Sequence, residues 1–302
     1  MTPNQISRLA PYLNALYQQQ KCDYLFKDDP IEFPDRFSDA RDIEIAGWLA
    51  SVLAVGKVAL FKAVIEKILA VMGHAPYRYL VAFNPARERG KFDGIAYRFY
   101  TSEDIFQFIC LMHRVVVQYG SIGAFFLSCY REQEPDVRST LSRFVEQVRK
   151  MVTRPLRGVA PNPHLLPSPD QNSACKRWNL YLRWMVRKDD GIVFGLWREI
   201  PPSKLIIPLD THIARIGGYL GLTSRKTADW TMAKEITQSL KEIDPIDPLK
   251  YDFALCHLGI SGDCPIVKNN KKCFVCKLLP ACKRGIAITR KQKLNKSGRI
   301  EI

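Results

Sequence analysis

The apolar residues in the first half of the chain recur at spacings of three and four. Only an α-helix turns that rhythm into a continuous buried face. Ile6, Leu9, Leu13 and Leu16 place an amphipathic helix over residues 4–20. A connection rich in proline and aspartate, Lys27 to Asp35, leads into residues 40–71. There Ile43, Ile45, Ala46, Leu49, Val52 and Leu53 make an almost wholly apolar helix, which belongs at the centre of a bundle. Gly56 and Lys57 interrupt it, and Phe61, Val64, Ile65 and Ile68 resume it. Helices are expected again at 103–119, 122–131 and 136–152, the last opened by Pro135 and Asp136. Residues 74–101 are aromatic and irregular and fit neither the helical nor the strand period. The pattern predicts an all-α protein, without internal repeats or low-complexity segments.

A basic stretch from Arg149 to Gly158 runs into a proline-rich loop that reaches Pro169. Over Ser173–Arg187, Ala174, Trp178, Tyr181, Leu182 and Met185 form the apolar stripe of another helix. Lys176, Asn179, Arg183 and Arg187 repeat at the same spacings on the opposite face. Such a face is either solvated or turned to a phosphate backbone.

Further on, the apolar run Leu205-Ile206-Ile207-Pro208-Leu209 delivers Asp210 to the first position of a helix that Ile213, Ile216 and Leu220 would bury. In its plainest role Asp210 is an N-cap, worth ~1 kcal/mol. Helices are expected over 229–243 and from Asp247-Pro248 to Gly259, with Asp247 as the cap. Then comes Cys264-x8-Cys273-x2-Cys276-x5-Cys282, four thiols that meet at one centre only if the loop wraps around it. A [4Fe–4S] cluster, a four-thiolate zinc site and unligated thiols are the three readings. Cys22, Cys110, Cys129, Cys175 and Cys256 lie on or beside apolar patterns and are expected in the core. From Lys283 to Ile302 seven Lys or Arg face one Glu, which suggests a mobile basic arm.

Composition narrows the partners. A net charge of +15 at pH 7 points to a polyanion, either nucleic acid or a membrane surface. The N-terminal residues lack the basic-then-apolar order of a signal peptide, and no uncharged apolar run approaches the length of a membrane span. A cytoplasmic, nucleoid-associated protein that uses no membrane is therefore expected. Its cysteines would serve packing, metal binding or catalysis rather than disulfides.

Asp210-Thr211-His212-Ile213-x-Arg215 resembles the aspartate motif of the helix-hairpin-helix DNA glycosylases, the endonuclease III superfamily. The four-cysteine run is similar to that family's iron–sulfur loop, with a longer first gap. The resemblance covers roughly residues 150–285. It implies a two-lobed all-α fold, with DNA in the cleft between a helical bundle and a lobe holding the cluster. The family's hairpin is Leu-Pro-Gly-x-Gly-x-Lys; this chain has Leu166-Pro167-Ser168-Pro169-Asp170-Gln171-Asn172-Ser173, without a glycine to supply positive φ. By position Lys176 matches the nucleophilic lysine, and its distance along the chain from Asp210 is closer to that of the archaeal 8-oxoguanine glycosylases.

The implied activity is removal of a damaged base from double-stranded DNA by a monomeric glycosylase, with an AP lyase step if Lys176 is the nucleophile. Asp210 would oppose the cationic transition state. Asn179, Arg183, Arg187, His212 and Arg215 would contact DNA, and Cys264, Cys273, Cys276 and Cys282 would hold a [4Fe–4S] cluster or zinc. A non-catalytic DNA-binding protein that retains the fold is the rival expectation, and an RNA-binding module is a more distant one. The expected organisation is a helical region at 1–150, the hairpin and aspartate region at 151–258, the cysteine loop at 259–285 and the tail at 286–302.

Overall fold

The computed structural model describes residues 3–23, 29–152, 165–267 and 269–297. Fourteen α-helices run through them: α1 (Pro3–Asp23), α2 (Ala40–Leu53), α3 (Val58–Val71), α4 (Pro76–Ala82), α5 (Pro85–Glu88), α6 (Ser102–Tyr119), α7 (Ile122–Cys129), α8 (Arg138–Val152), α9 (Lys176–Val186), α10 (Thr211–Leu220), α11 (Trp230–Lys241), α12 (Asp252–Ile260), α13 (Asn270–Val275) and α14 (Lys283–Ser297). Among the described residues there is no strand, only an isolated bridge between Tyr97 and Tyr100. The protein is all-α. No single described helix is long and apolar enough to cross a membrane.

The segment that fits neither period, 74–101, holds α4, α5 and a short 3-10 turn, of seven, four and four residues. Helices that short complete too few turns to display a period. The tail departs from expectation as well. Residues 283–297 are helical in α14, and only 298–302 fall outside the described residues. Most of the basic stretch and proline-rich loop, residues 153–164, also lies outside them, as does the side chain of Cys22.

Helix α2 is the core of the bundle, buried from Ile43 to Leu53. Trp48 touches Phe108 of α6, Phe144 of α8 and Trp178 of α9. Gly47 lets α9 come close, since a Cβ there would lie 2.8 Å from the Met185 methyl. One charged side chain sits inside this core for a reason. Glu44 accepts the Trp197 indole N–H at 2.7 Å, and the Ile122 and Gly123 amides at 2.9 and 3.1 Å. It thereby satisfies orphan donors in the first turn of α7 from a neighbouring helix. Burial pushes its carboxyl above the usual range, opposed by those same donors.

The break between α2 and α3 is a conformational necessity. Gly56 has φ +92°, a region that side-chain-bearing residues rarely adopt, and the Arg98 guanidinium packs where a Cβ would be. The Tyr97 hydroxyl donates to the Val55 carbonyl and ties the 97–100 turn to this loop. Ala54, Gly56, Lys57 and Val58 of this break form part of the wall of the cavity described next.

Candidate active site

Three pieces of chain converge on one cavity of about 530 Å³: the first turn of α9, the start of α10 and one side of α12, with the α2–α3 loop opposite. That volume lies within the range of small-ligand sites.

The α9 end is set by the hairpin. Ser168 caps a short 3-10 turn, Pro169–Gln171, and Asn172 follows at φ +53°. Cys175, the residue before α9, sits at φ +47°. Two residues of this segment without glycine are thus held in the left-handed region. Asn tolerates it, whereas for Cys it costs about 1–3 kcal/mol. Asn172 is held further by a side-chain bond to Asp229 at 3.3 Å, and Cys175 is buried with its thiol on the Pro167 carbonyl. The turn ends by presenting Lys176 to the cavity. Most of the hairpin amides are already committed: those of Asp170, Gln171, Asn172 and Cys175 bond within the turn.

Asp210 is the N-cap of α10, its Oδ1 accepting the Ile213 amide at 2.8 Å. Leu205, Ile206, Ile207 and Leu209 are buried ahead of it, and Ile213, Ile216 and Leu220 after it. The local reading of this segment therefore holds. The other carboxylate oxygen accepts the Cys256 thiol at 3.2 Å. Cys256 is thus a cavity residue rather than a core one, and burial followed by the nearby Asp210 charge pushes its thiol well up. Lys176 and Asp210 line the same cavity, as do Thr211 and His212. His212 reaches it because α10 and α12 touch at Gly259, where a Cβ would be 2.4 Å from the imidazole Nδ1.

The basic face of α9 is corrected by the structure. Asn179, Arg183 and Arg187 are each 1% exposed, so they offer no solvent face to a phosphate backbone. Asn179 bonds the Ala174 carbonyl at 3.0 Å. Arg187 pairs with Asp247 at 2.8 Å and Asp190 at 3.0 Å. Asp247 is spent on this pair and makes no side-chain cap, contrary to expectation. Arg183 pairs with Asp252 at 2.9 Å and lines the cavity from beneath. The face is buried because carboxylates some sixty residues further along the chain neutralise it. Arg215 also turns inward, donating to the Cys264 carbonyl at 2.6 Å.

Residues that sequence reasoning passed over complete the cavity. Asp252, at the first turn of α12, is pushed up to about 6 by burial and by Asp210, against the pull of Arg183 and Lys176. Asp29 caps a short turn through Ile31 and faces the His257 imidazole at 3.5 Å. Burial would raise it, but His257 and Arg183 outweigh that and hold it below the usual carboxylate range. Lys57, at the interruption between α2 and α3, is the second lysine on the wall. Two lysines nearer Asp210 in sequence do not line the cavity: Lys204 donates to the Glu132 carbonyl, and Lys188 is exposed.

The four cysteines of the loop border one space without closing on a centre. Cys264, Cys273, Cys276 and Cys282 all line one small cavity of about 30 Å³. Arg215 and Arg284 brace it. Arg215 lies 3.4 Å from the Cys264 sulfur, and Arg284 donates to the Pro265 carbonyl at 3.0 Å. Burial raises the Cys264 and Cys276 thiols. Among the described residues no three His, Cys, Asp or Glu side chains close into a ligating group. The sulfurs border a common space without meeting in it. The donor set nonetheless fits a thiolate-held group, zinc or an iron–sulfur cluster, with two guanidinium groups placed to offset the negative charge of four thiolates.

No curated protein and no solved structure matches the chain. A family model does, over residues 29–261, a span that takes in every residue lining the larger cavity and stops short of the cysteine loop. The chain belongs to that family, described as Protein of unknown function (DUF2400).

Proposed function

We propose that the cavity is the excision site of a DNA glycosylase with the two-lobed helix-hairpin-helix fold, acting on a damaged base in duplex DNA. The observation that carries this reading is the meeting of Lys176 and Asp210 in one cavity, with Asp210 anchored by its own helix. Asp210 opposes the positive charge that grows on the deoxyribose as the glycosidic bond lengthens. The Lys176 nitrogen bonds through its lone pair to the sugar carbon as the base departs with the bonding pair, which a proton then neutralises. Opening of the sugar ring gives the protonated Schiff base, from which elimination cleaves the strand. The cysteine loop, if it holds zinc or a [4Fe–4S] cluster through Cys264, Cys273, Cys276 and Cys282, supplies structural rigidity and takes no part in the chemistry.

Net charge of +15 supports a phosphate partner, to which binding would weaken steeply as salt rises. Burial of Asn179, Arg183 and Arg187 and the internal bonding of the hairpin amides remove expected phosphate contacts from this reading and equally from its rival, a non-catalytic DNA-binding protein. Incubating full-length protein with a panel of single-lesion duplexes and borohydride separates the two. Excision with a trapped covalent adduct, lost in Lys176→Ala, supports the bifunctional enzyme. Trapping that persists in Lys176→Ala moves the role to Lys57. Binding without release of any base supports the rival.

A further inference from the structure

A base that leaves with the bonding pair needs a proton, and several groups in the cavity carry one. Lys176 is spent as the nucleophile. Cys256 gives its thiol hydrogen to Asp210, and burial, then the Asp210 charge, makes that thiol a poor acid. Asp252 shares its Oδ2 with Arg183, and its Oδ1 is buried out of reach. His212 has a cation beside its ring, the Arg215 guanidinium at 3.4 Å from Nδ1. His257 has the opposite neighbour. Its Nε2 faces Asp29 Oδ2 at 3.5 Å, and both residues line the cavity, with side chains 23% and 12% exposed.

The pair is fixed from both ends. Asp29 Oδ1 accepts the Ile31 amide at 3.0 Å, capping a turn whose Ile31 is fully buried. Burial would raise the Asp29 carboxyl, but His257 and Arg183 hold it below the usual range, so it stands as an anion. An ionised carboxylate only accepts, which places a hydrogen on Nε2. Phe253, one turn earlier on α12, stacks on the imidazole with centroids 3.9 Å apart at 32° and fixes the ring plane. A separation of 3.5 Å is long, as catalytic pairs often are until substrate is bound.

We infer that His257, oriented by Asp29, is the proton donor to the departing base. The imidazolium passes one N–H proton to the base, neutralising the pair that the base took from the sugar carbon. The ring is left neutral, and solvent water restores its proton. Asp29 holds the ring and stabilises its charged form without giving up a proton, the part a carboxylate plays behind a catalytic histidine. This inference rests on the excision reading.

The test separates base departure from the lysine chemistry. Full-length wild type, His257→Gln and Asp29→Asn are given two duplexes, one with a lesion that wild type excises and one with an abasic site. Base release is followed in single turnover on the first, and borohydride trapping on the second, where no base has to leave. His257→Gln should lose about 100-fold or more in base release, the worth of a general acid, and still trap on the abasic duplex. Asp29→Asn, which keeps a cap oxygen for Ile31, should lose less. Wild-type release should fall as pH rises through titration of the imidazolium. That fall should be absent in His257→Gln and lie at lower pH in Asp29→Asn, since a neighbouring anion has been removed. The other charged and titratable groups of the cavity, Lys57, Lys176, Arg183, Asp210, His212, Asp252 and Cys256, are unaltered in these variants. Release by His257→Gln at the wild-type rate overturns the inference. So does an equal loss of release and trapping, which would make His257 a matter of cavity shape. If wild type releases base without trapping, water is the nucleophile and the pH profile alone decides. Wild type that releases no base from any lesion duplex retires the excision reading itself, and this inference with it.

Discussion

Asp210 holds two positions at once, helix cap and cavity carboxylate, and a pair of substitutions separates them. Asp210→Asn keeps a side-chain oxygen for the Ile213 amide, now 2.8 Å from Oδ1, and Asn ranks with Asp as a cap. The amide nitrogen then faces the Cys256 sulfur, which gives up its bond to Oδ2 and rotates its weak S–H away. Stability should hardly change. Asp210→Ala removes both bonds and frays a helix whose Ile213, Ile216 and Leu220 lie in the core. Its cost is about 1 kcal/mol, a fall in Tm of ~2–4 °C at most for a chain of this size. Excision should order the variants differently. Both lack the charge, so both should lose roughly 100- to 1,000-fold in single-turnover base release, the usual worth of one electrostatic group aimed at a transition state. A second reading is available by NMR: the Asp252 carboxyl, raised in part by Asp210, should titrate at lower pH in the Asn variant. Wild-type base release by Asp210→Asn would refute the catalytic role and leave Asp210 a cap.

Glu44→Ala leaves the Trp197 indole and the Ile122 and Gly123 amides without their acceptor in the core. At about 1–3 kcal/mol each, the loss should amount to several kcal/mol in chemical denaturation, and a loss under 1 kcal/mol would show that α7 shifts to find water. Asp252 binds a proton more tightly folded than unfolded, its pKa raised from 3.8 to about 6. The stability it contributes is present below pH 3.8 and is lost as pH rises through 6, roughly 3 kcal/mol in all, and Asp252→Asn should lack that slope, so that the difference in stability between wild type and variant changes with pH across this window. Anaerobically purified protein should be straw-brown, with iron and sulfide bleached by Cys276→Ser. One zinc per chain in colourless protein would assign the other thiolate-held group, and neither metal would leave the four thiols unligated.

The all-α class was legible in the sequence because helical periodicity is a local property that burial merely uses. The bounds of α2 and α3, the break at Gly56 and the cap at Asp210 followed from spacing and from backbone constraints that act within a few residues. Periodicity says which residues share a face but not what that face meets. Asn179, Arg183 and Arg187 shared a face as expected. Only the tertiary structure showed that α12 and the segment before it press Asp252 and Asp247 against the two arginines and turn a solvent face into buried ion pairs. Cys256 read as a core residue for the same reason, since nothing near it in sequence announces Asp210. Lys57 read only as a helix interruption, because the cavity it lines is closed by α9 and α10, more than a hundred residues away. Charges and thiols take their meaning from partners brought by packing, and with nothing but the order of residues those partners cannot be named.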